Sequence, residues 1–289
     1  MRIIRSRPNQ ENPVSSIPIL LFFCLLTSLS FAQKVKFGKP SISELEMTVY
    51  DKDSSAVAVV LYDKGEFREE TFKFYRHQRI KILKKGGTSY GNITLNVPGK
   101  SFFKAKVFNL ENGKIVEERL GSSSIHEEEQ FRGDYVYKLF LPNVKVGSVI
   151  DIEYTLFGLP YEWLFQDLIP VVHSELILHK AHSIYSESAV SFKITQKGFE
   201  PLEIVADQHW VARDMPAFVI EPHLSHFSNY ITKFEFQVTY VQVVGYYLRE
   251  YSTSWEIVGK RLLENDYFGA ALRTSAFLNE KAKELKQST

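Results

Sequence analysis

Four groups of residues in this sequence have types and spacing that could do chemistry. His179 and His182, and again His223 and His226, are three apart, a spacing found where zinc is held. On a strand, residues three apart point to opposite faces, so neither pair forms a ligand set unless it lies in a turn. The plainer reading is of loop histidines bonded to backbone. Asp151 and Glu153 are two apart and share a strand face, where they could act as an acid–base pair. They are also what the solvated side of a strand looks like. Arg76, His77, Arg79, Lys81, Lys84 and Lys85 form a basic stretch suited to an acidic ligand. Glu66, Glu69 and Glu70, upstream, could neutralise it. Trp163, Trp210, Tyr246 and Tyr247 could line a platform for glycan or peptide, or fill a core. The binding candidates carried forward are Arg76, His77, Arg79, Trp163 and Trp210. No residue is carried forward as catalytic or metal-ligating.

Cysteine usage and charge narrow the function classes. Arg2, Arg5 and Arg7 precede an apolar run at residues 17–29, and Ser30-Phe31-Ala32 places small residues where a signal peptidase reads them. This predicts a signal peptide over residues 1–32, cut between Ala32 and Gln33. A retained anchor is the alternative, but the run is about a dozen residues, short of the roughly 20 a spanning helix needs. Cys24, the only cysteine, lies in this segment. The mature chain therefore has no disulfide, no Cys-ligated zinc and no thiol nucleophile. It carries 32 basic and 33 acidic residues, a balance that calls for neither nucleic acid nor an anionic membrane surface. No glycine-rich phosphate loop is present, and no cofactor is expected. Export points to the periplasm or cell envelope.

Strands must position these groups. The 22 Phe and 15 Tyr favour sheet. Tyr135, Tyr137, Leu139 and Leu141 alternate up to Pro142. After Gly147, Ile150, Ile152, Tyr154 and Leu156 alternate again, with Asp151, Glu153 and Thr155 on a wet face. Residues 33–55 read as a polar lead-in. A first strand at 56–62 is ended by an Asp63-Lys64-Gly65 turn. In the strand at 72–83, Arg76 and Gln78 interrupt the apolar phase and predict a bulge or bend. Asn112-Gly113 marks a hairpin. Residues 121–133 read as a loop or one helical turn. Trp163 and Phe165 cap a core end. Phe234, Phe236, Val238 and Tyr240 face inward, with Lys233, Glu235 and Gln237 outward. Ser254 caps a helix with Trp255, Val258 and Leu262 on one stripe, and residues 270–286 form a second helical pattern. The fold class expected is mainly β: an antiparallel β-sandwich, or two sandwich-like layers, with a short C-terminal helical segment.

Five motifs occur in order: Arg76-His-Gln-Arg-Ile-Lys-Ile-Leu83, Asn109-Leu-Glu-Asn-Gly-Lys114, Leu141-Pro-Asn-Val-Lys-Val-Gly-Ser-Val-Ile150, Phe165-Gln166 with Ile169-Pro170, and Ser174-Glu175. Together they resemble the bacterial domain of unknown function 3857, over residues 45–245. In that family the domain precedes a transglutaminase-like domain with a papain-type Cys-His-Asp arrangement. Ser254-Trp255 and Asp266-Tyr-Phe-Gly269 resemble the linker between the two. The family's Cys, His and Asp have no counterparts here, and none of the eight histidines inherits that role. The resemblance implies a β-sandwich domain at 33–250 and, at 251–289, a helical linker toward a catalytic domain this chain lacks. It implies a non-catalytic accessory domain that docks on, or presents substrate to, a transglutaminase-like partner, in a longer gene product or separately encoded. A truncated gene product is the expectation. The alternative is a free-standing envelope module for peptide or glycan. A third reading, a hydrolase using Asp151, Glu153 or the histidines, requires those groups to gather in one cleft.

Overall fold

Alternation of apolar and polar residues builds sheet through most of this chain. A computed structural model describes residues 35–130, 134–180, 188–243, 247–265, 268–269 and 276–287. The expected signal segment with its Ala32–Gln33 junction, His182 and Tyr246 lie outside them. The largest sheet has eight strands in the order β12 (Glu203–Ala206), β13 (His209–Met215), β10 (Val171–His179), β1 (Ala58–Arg68), β2 (Lys73–Ile82), β8 (Val149–Phe157), β4 (Phe102–Glu111) and β5 (Lys114–Arg119). A second sheet sets β14 (Lys233–Val243) between β11 (Ser188–Lys197) and β15 (Tyr247–Glu250), with β9 (Glu162–Leu164) also on β14. A third runs β3 (Asn92–Pro98), β7 (Asp134–Phe140), β6 (Ile125–Glu129). Among the described residues every pairing is antiparallel except β1 with β10. Among the described residues the α-helices are α1 (Ile42–Glu46), α2 (Trp255–Glu264) and α3 (Ala276–Gln287), and none of these is long and apolar enough to cross a membrane. The mainly β, sandwich-like class expected from sequence is the class found.

The three sheets share one core. The inner face of the large sheet supplies Val60, Phe67, Phe74, Ile80, Val107, Ile150, Ile152 and Leu176. Tyr137 and Leu139 meet it from β7, and Phe234 and Phe236 from β14. Each such side chain contributes about 1.5–3 kcal/mol by leaving water. Trp163 and Phe165 lie within this core, as expected.

Several local expectations are corrected. β1 does not end at Asp63-Lys64-Gly65; it continues to Arg68. Period-two alternation persists there, with Asp63, Gly65 and Phe67 inward and Lys64, Glu66 and Arg68 outward. Gly65 is in the strand because Trp163 and Phe74 press on it: a Cβ there would lie 2.7 Å from ring atoms of both. The bulge falls not at Arg76 and Gln78 but on β1, between Val60 and Tyr62. Arg76 and Gln78 keep the inward phase and bind a buried carboxylate. Residues 125–129 are not loop but edge strand β6, paired to β7. The strands flanking Pro142 to Gly147 do not pair with each other; they carry the chain from the three-stranded sheet to the eight-stranded one. Lys233, expected outward, is buried, with its amine on Glu162 at 2.8 Å and Glu235 at 2.9 Å.

The lead-in also has structure. Ser41 begins α1 with a capping box, its hydroxyl accepting from the Glu44 amide and the Glu44 carboxylate accepting from the Ser41 amide. Leu45 then packs with Phe108 and Val149, and Tyr50 and Ala56 with Val59 and Leu83. The lead-in therefore covers one end of the large sheet's outer face.

Candidate functional site

Many of the titratable residues gather on that outer face, and strand register sets their rows. His173 lies opposite Arg213, Tyr62 opposite Arg79, Arg79 opposite Asp151 and Asp151 opposite Lys106. One row on, Glu175, Lys64, His77, Glu153 and Lys104 are successive neighbours on β10, β1, β2, β8 and β4. The next row holds Ile177, Glu66, Tyr75, Thr155 and Phe102. The face grades from covered and apolar, through charged, to open and aromatic.

Asp151 is the centre of the covered part. It is fully buried, which corrects the expectation of a solvated strand side. Residues 36–46 exclude the water. The Gly38 amide donates to Asp151 Oδ2 at 2.7 Å, Arg79 Nη2 donates to the same oxygen at 2.8 Å, and His77 Nε2 lies 2.6 Å from Oδ1. Burial alone would raise this carboxyl; His77 and Arg79 outweigh it and hold it below the usual carboxylate range. Arg79 also reaches Glu44 at 3.1 Å and the Lys36 carbonyl at 2.7 Å. Lys81, one step along, donates to the carbonyls of Leu45 and Gly147 at 2.7 and 2.6 Å, and desolvation brings its amine down to about 8. Glu153 lies on the same face as Asp151 but outside this network, so the two do not form a working pair.

Glu175 is the centre of the half-open part. His209 Nε2 is 2.7 Å from Glu175 Oε1; His173 Nε2 and Lys64 Nζ are 3.7 and 3.9 Å from Oε2. His173, with Lys64 and His209 behind it, holds the Glu175 carboxyl down to about 2 against the effect of burial. By distance His209 is the tighter histidine partner. Tyr62 stacks on His173 with ring centres 5.4 Å apart and meets His77 edge-on at 5.3 Å, joining the two clusters. His179 lies 3.3 Å from Glu66. The sequence offered no local sign of this cluster, because Glu175 is 34 residues from His209 and 111 from Lys64.

On the inner face, Arg76 holds Asp63 with two bonds, Nε at 2.8 Å and Nη2 at 2.6 Å, and Gln78 adds a third at 3.0 Å. Arg76 Nη1 donates to the Tyr154 hydroxyl at 3.0 Å, and its guanidinium lies 5.0 Å from the Trp163 ring centre. Burial opposes the Arg76 charge, but Asp63 and Tyr154 more than restore it, and its pKa is raised. Asp167 shares this region; burial pushes its carboxyl up, with Asp63 adding to the rise and Arg76 opposing it.

The five binding candidates are thus divided. His77 and Arg79 face out and Arg76 faces in, so the basic stretch is not one patch. Its acids are Asp151, Glu44 and Asp63, not the upstream Glu66, Glu69 and Glu70. Trp163 is core, and its indole N–H finds no acceptor among the described residues. Trp210 packs edge-on against Phe234 at 5.0 Å. Neither belongs to an exposed platform. His223 and His226 do not form a ligand pair; His226 Nδ1 bonds the Ser228 hydroxyl at 2.7 Å. Among the described residues no group of three His, Cys, Asp or Glu is placed to hold a metal ion. What sequence reasoning missed is the aromatic end, formed by Tyr75, Phe102 and Phe157. Phe157 continues the outward phase of Asp151, Glu153 and Thr155, so an apolar residue in a polar register was the available signal.

The family model for a domain of unknown function with a solved structure, DUF3857, matches residues 69–218. No curated protein matches the chain. Among solved structures, a candidate protease from Parabacteroides distasonis ATCC 8503 is similar with a TM-score of 0.46 and 11% identity, over 62% of this chain. The chain spans 40% of that protein's length.

Proposed function

The chain belongs to the DUF3857 family, and on that premise we propose that it is a non-catalytic interaction domain, exported to the periplasm or cell envelope, that works with a transglutaminase-like peptidase domain. The observation that carries this reading is α2. Ser254 caps it through its hydroxyl to the Ile257 amide, yet none of its residues is buried. Trp255 is 86% exposed and Leu263 60%. A capped helix that leaves a tryptophan and leucines in water is built to be covered. The acid–base groups support the same reading, since Asp151 is engaged by both His77 and Arg79 under α1 and its lead-in.

The test is calorimetry of the exported chain with a transglutaminase-like domain taken from a family member that carries both. Binding is expected, weakened at least tenfold by Trp255→Ser with Leu263→Ser. Peptide hydrolysis by this chain alone, abolished by Glu175→Gln with the fold intact by circular dichroism, would overturn the proposal.

A further inference from the structure

The open end of the outer face departs furthest from what a solvated strand requires. Phe102 is 87% exposed, Phe157 62% and Tyr75 37%. Single exposed apolar residues are ordinary. These three share one face of three adjacent strands. Tyr75 and Phe102 flank Thr155 on either side, and Phe157 lies two residues along the same strand. Strands lie about 4.8 Å apart, so Tyr75 and Phe102 stand about 10 Å apart. The rings are supported from beside: the Arg68 guanidinium lies 5.5 Å from the Tyr75 ring centre, and Phe72 meets Phe157 edge-on at 5.0 Å. Lys73 lies opposite Phe157, and Lys104 is two residues beyond Phe102 on the same face. Both amines are exposed, and neither forms an ion pair among the described residues.

We infer that Tyr75, Phe102 and Phe157, with Lys73 and Lys104 at their margin, form a docking surface for a polypeptide whose acidic side chains alternate with large apolar ones. The rings offer an apolar seat of the size an interface anchor needs, and the amines select carboxylates beside it. A glycan is disfavoured because two of the three rings carry no hydroxyl and Thr155 is the main polar group among them. An anionic membrane is disfavoured because it calls for a cluster of roughly four or more basic residues, whereas this end offers Lys73 and Lys104, Arg68 being held by Glu66 at 2.6 Å. The inference rests on the interaction reading and gives it a client: polypeptide held on the sheet face while α2 meets the peptidase domain.

The test is amide-shift mapping by NMR on the isotope-labelled exported chain. The probe is an end-blocked octapeptide of Asp and Glu alternating with Leu and Phe; its control carries Lys for every acid. Shifts are expected at Tyr75, Phe102, Thr155 and Phe157 with the acidic peptide. Phe102→Ser with Phe157→Ser should weaken binding at least tenfold, and Lys73→Glu with Lys104→Glu at least fivefold. These side chains are exposed, so the fold should survive. Shifts confined to other amides, equal binding of the lysine control, or a response only to a glucan oligomer or to phosphatidylglycerol vesicles would overturn it. Calorimetry with the transglutaminase-like domain separates the two failures. Binding through Trp255 with a silent patch overturns this inference alone. A responding patch without that binding overturns the accessory role and leaves a free-standing peptide-binding module.

Discussion

At the scale of single residues, the charged groups act in closed sets, and their removal should cost accordingly. Asp151 is buried with Arg79, and removing it takes away the fully buried partner of that guanidinium, leaving only the half-covered Glu44 at 3.1 Å. Asp151→Asn is expected to destabilise by about 3–5 kcal/mol, measurable by urea unfolding. Its carboxyl is held low in the fold, so its contribution is present above the unfolded carboxylate pKa and fades as pH falls through the folded value. Glu175 follows the same sign. With its carboxyl at about 2, its stabilisation is complete above about pH 4.5 and is lost toward pH 2. Glu175→Gln should cost about 1–3 kcal/mol at pH 7 and little at pH 2; equal cost at both would contradict the ionic origin. Asp167 has the opposite sign. Its folded pKa is raised by burial, so the neutral form is favoured in the fold and ionisation above the unfolded pKa destabilises. Asp167→Asn should therefore stabilise at pH 7 and not at pH 3, as thermal melts at the two values would show.

At the scale of elements, the sheet is shaped by close approach as much as by alternation. Gly65→Ala would drive a Cβ to 2.7 Å from Trp163 and Phe74 and is expected to cost about 1–3 kcal/mol, read from the denaturant midpoint. This is also where sequence and structure part. The Asn112-Gly113 hairpin, the inward Phe234 and Phe236, and the Ser254 cap were legible because their signals are local. Asp63-Lys64-Gly65 has the composition of a turn, and it is strand because it pairs with β2 on one side and with the distant β10 on the other, Gly65 leaving room for Trp163 and Phe74. The basic run from Arg76 to Lys81 reads as one charged stretch by composition, whereas its phase already set Arg76 with the inward residues; what the sequence hid was Asp63, the buried carboxylate that lets Arg76 stay there without a bulge. Asp151 looked solvated because the polar lead-in that covers it lies more than 100 residues upstream. The aromatic end was written in the sequence as Phe157 in a polar phase, but its partners Tyr75 and Phe102 join it only through register.

At the scale of the whole molecule, three sheets close around one core, and among the apolar side chains left exposed on the described residues two groups carry the proposals made above. One is the exposed side of α2; the other is the aromatic end of the large sheet. Neither is required by the core, so Trp255→Ser and Phe102→Ser should each change unfolding free energy by less than about 0.5 kcal/mol while reducing binding. That division, a packed core with apolar side chains left outside it, suits the interaction role proposed above. The most direct measurement is the calorimetric titration of this chain with a transglutaminase-like domain from a two-domain family member. A saturable heat that Trp255→Ser with Leu263→Ser diminishes at least tenfold is the predicted result. No binding heat at all, or binding that this double variant leaves unchanged, would contradict the account.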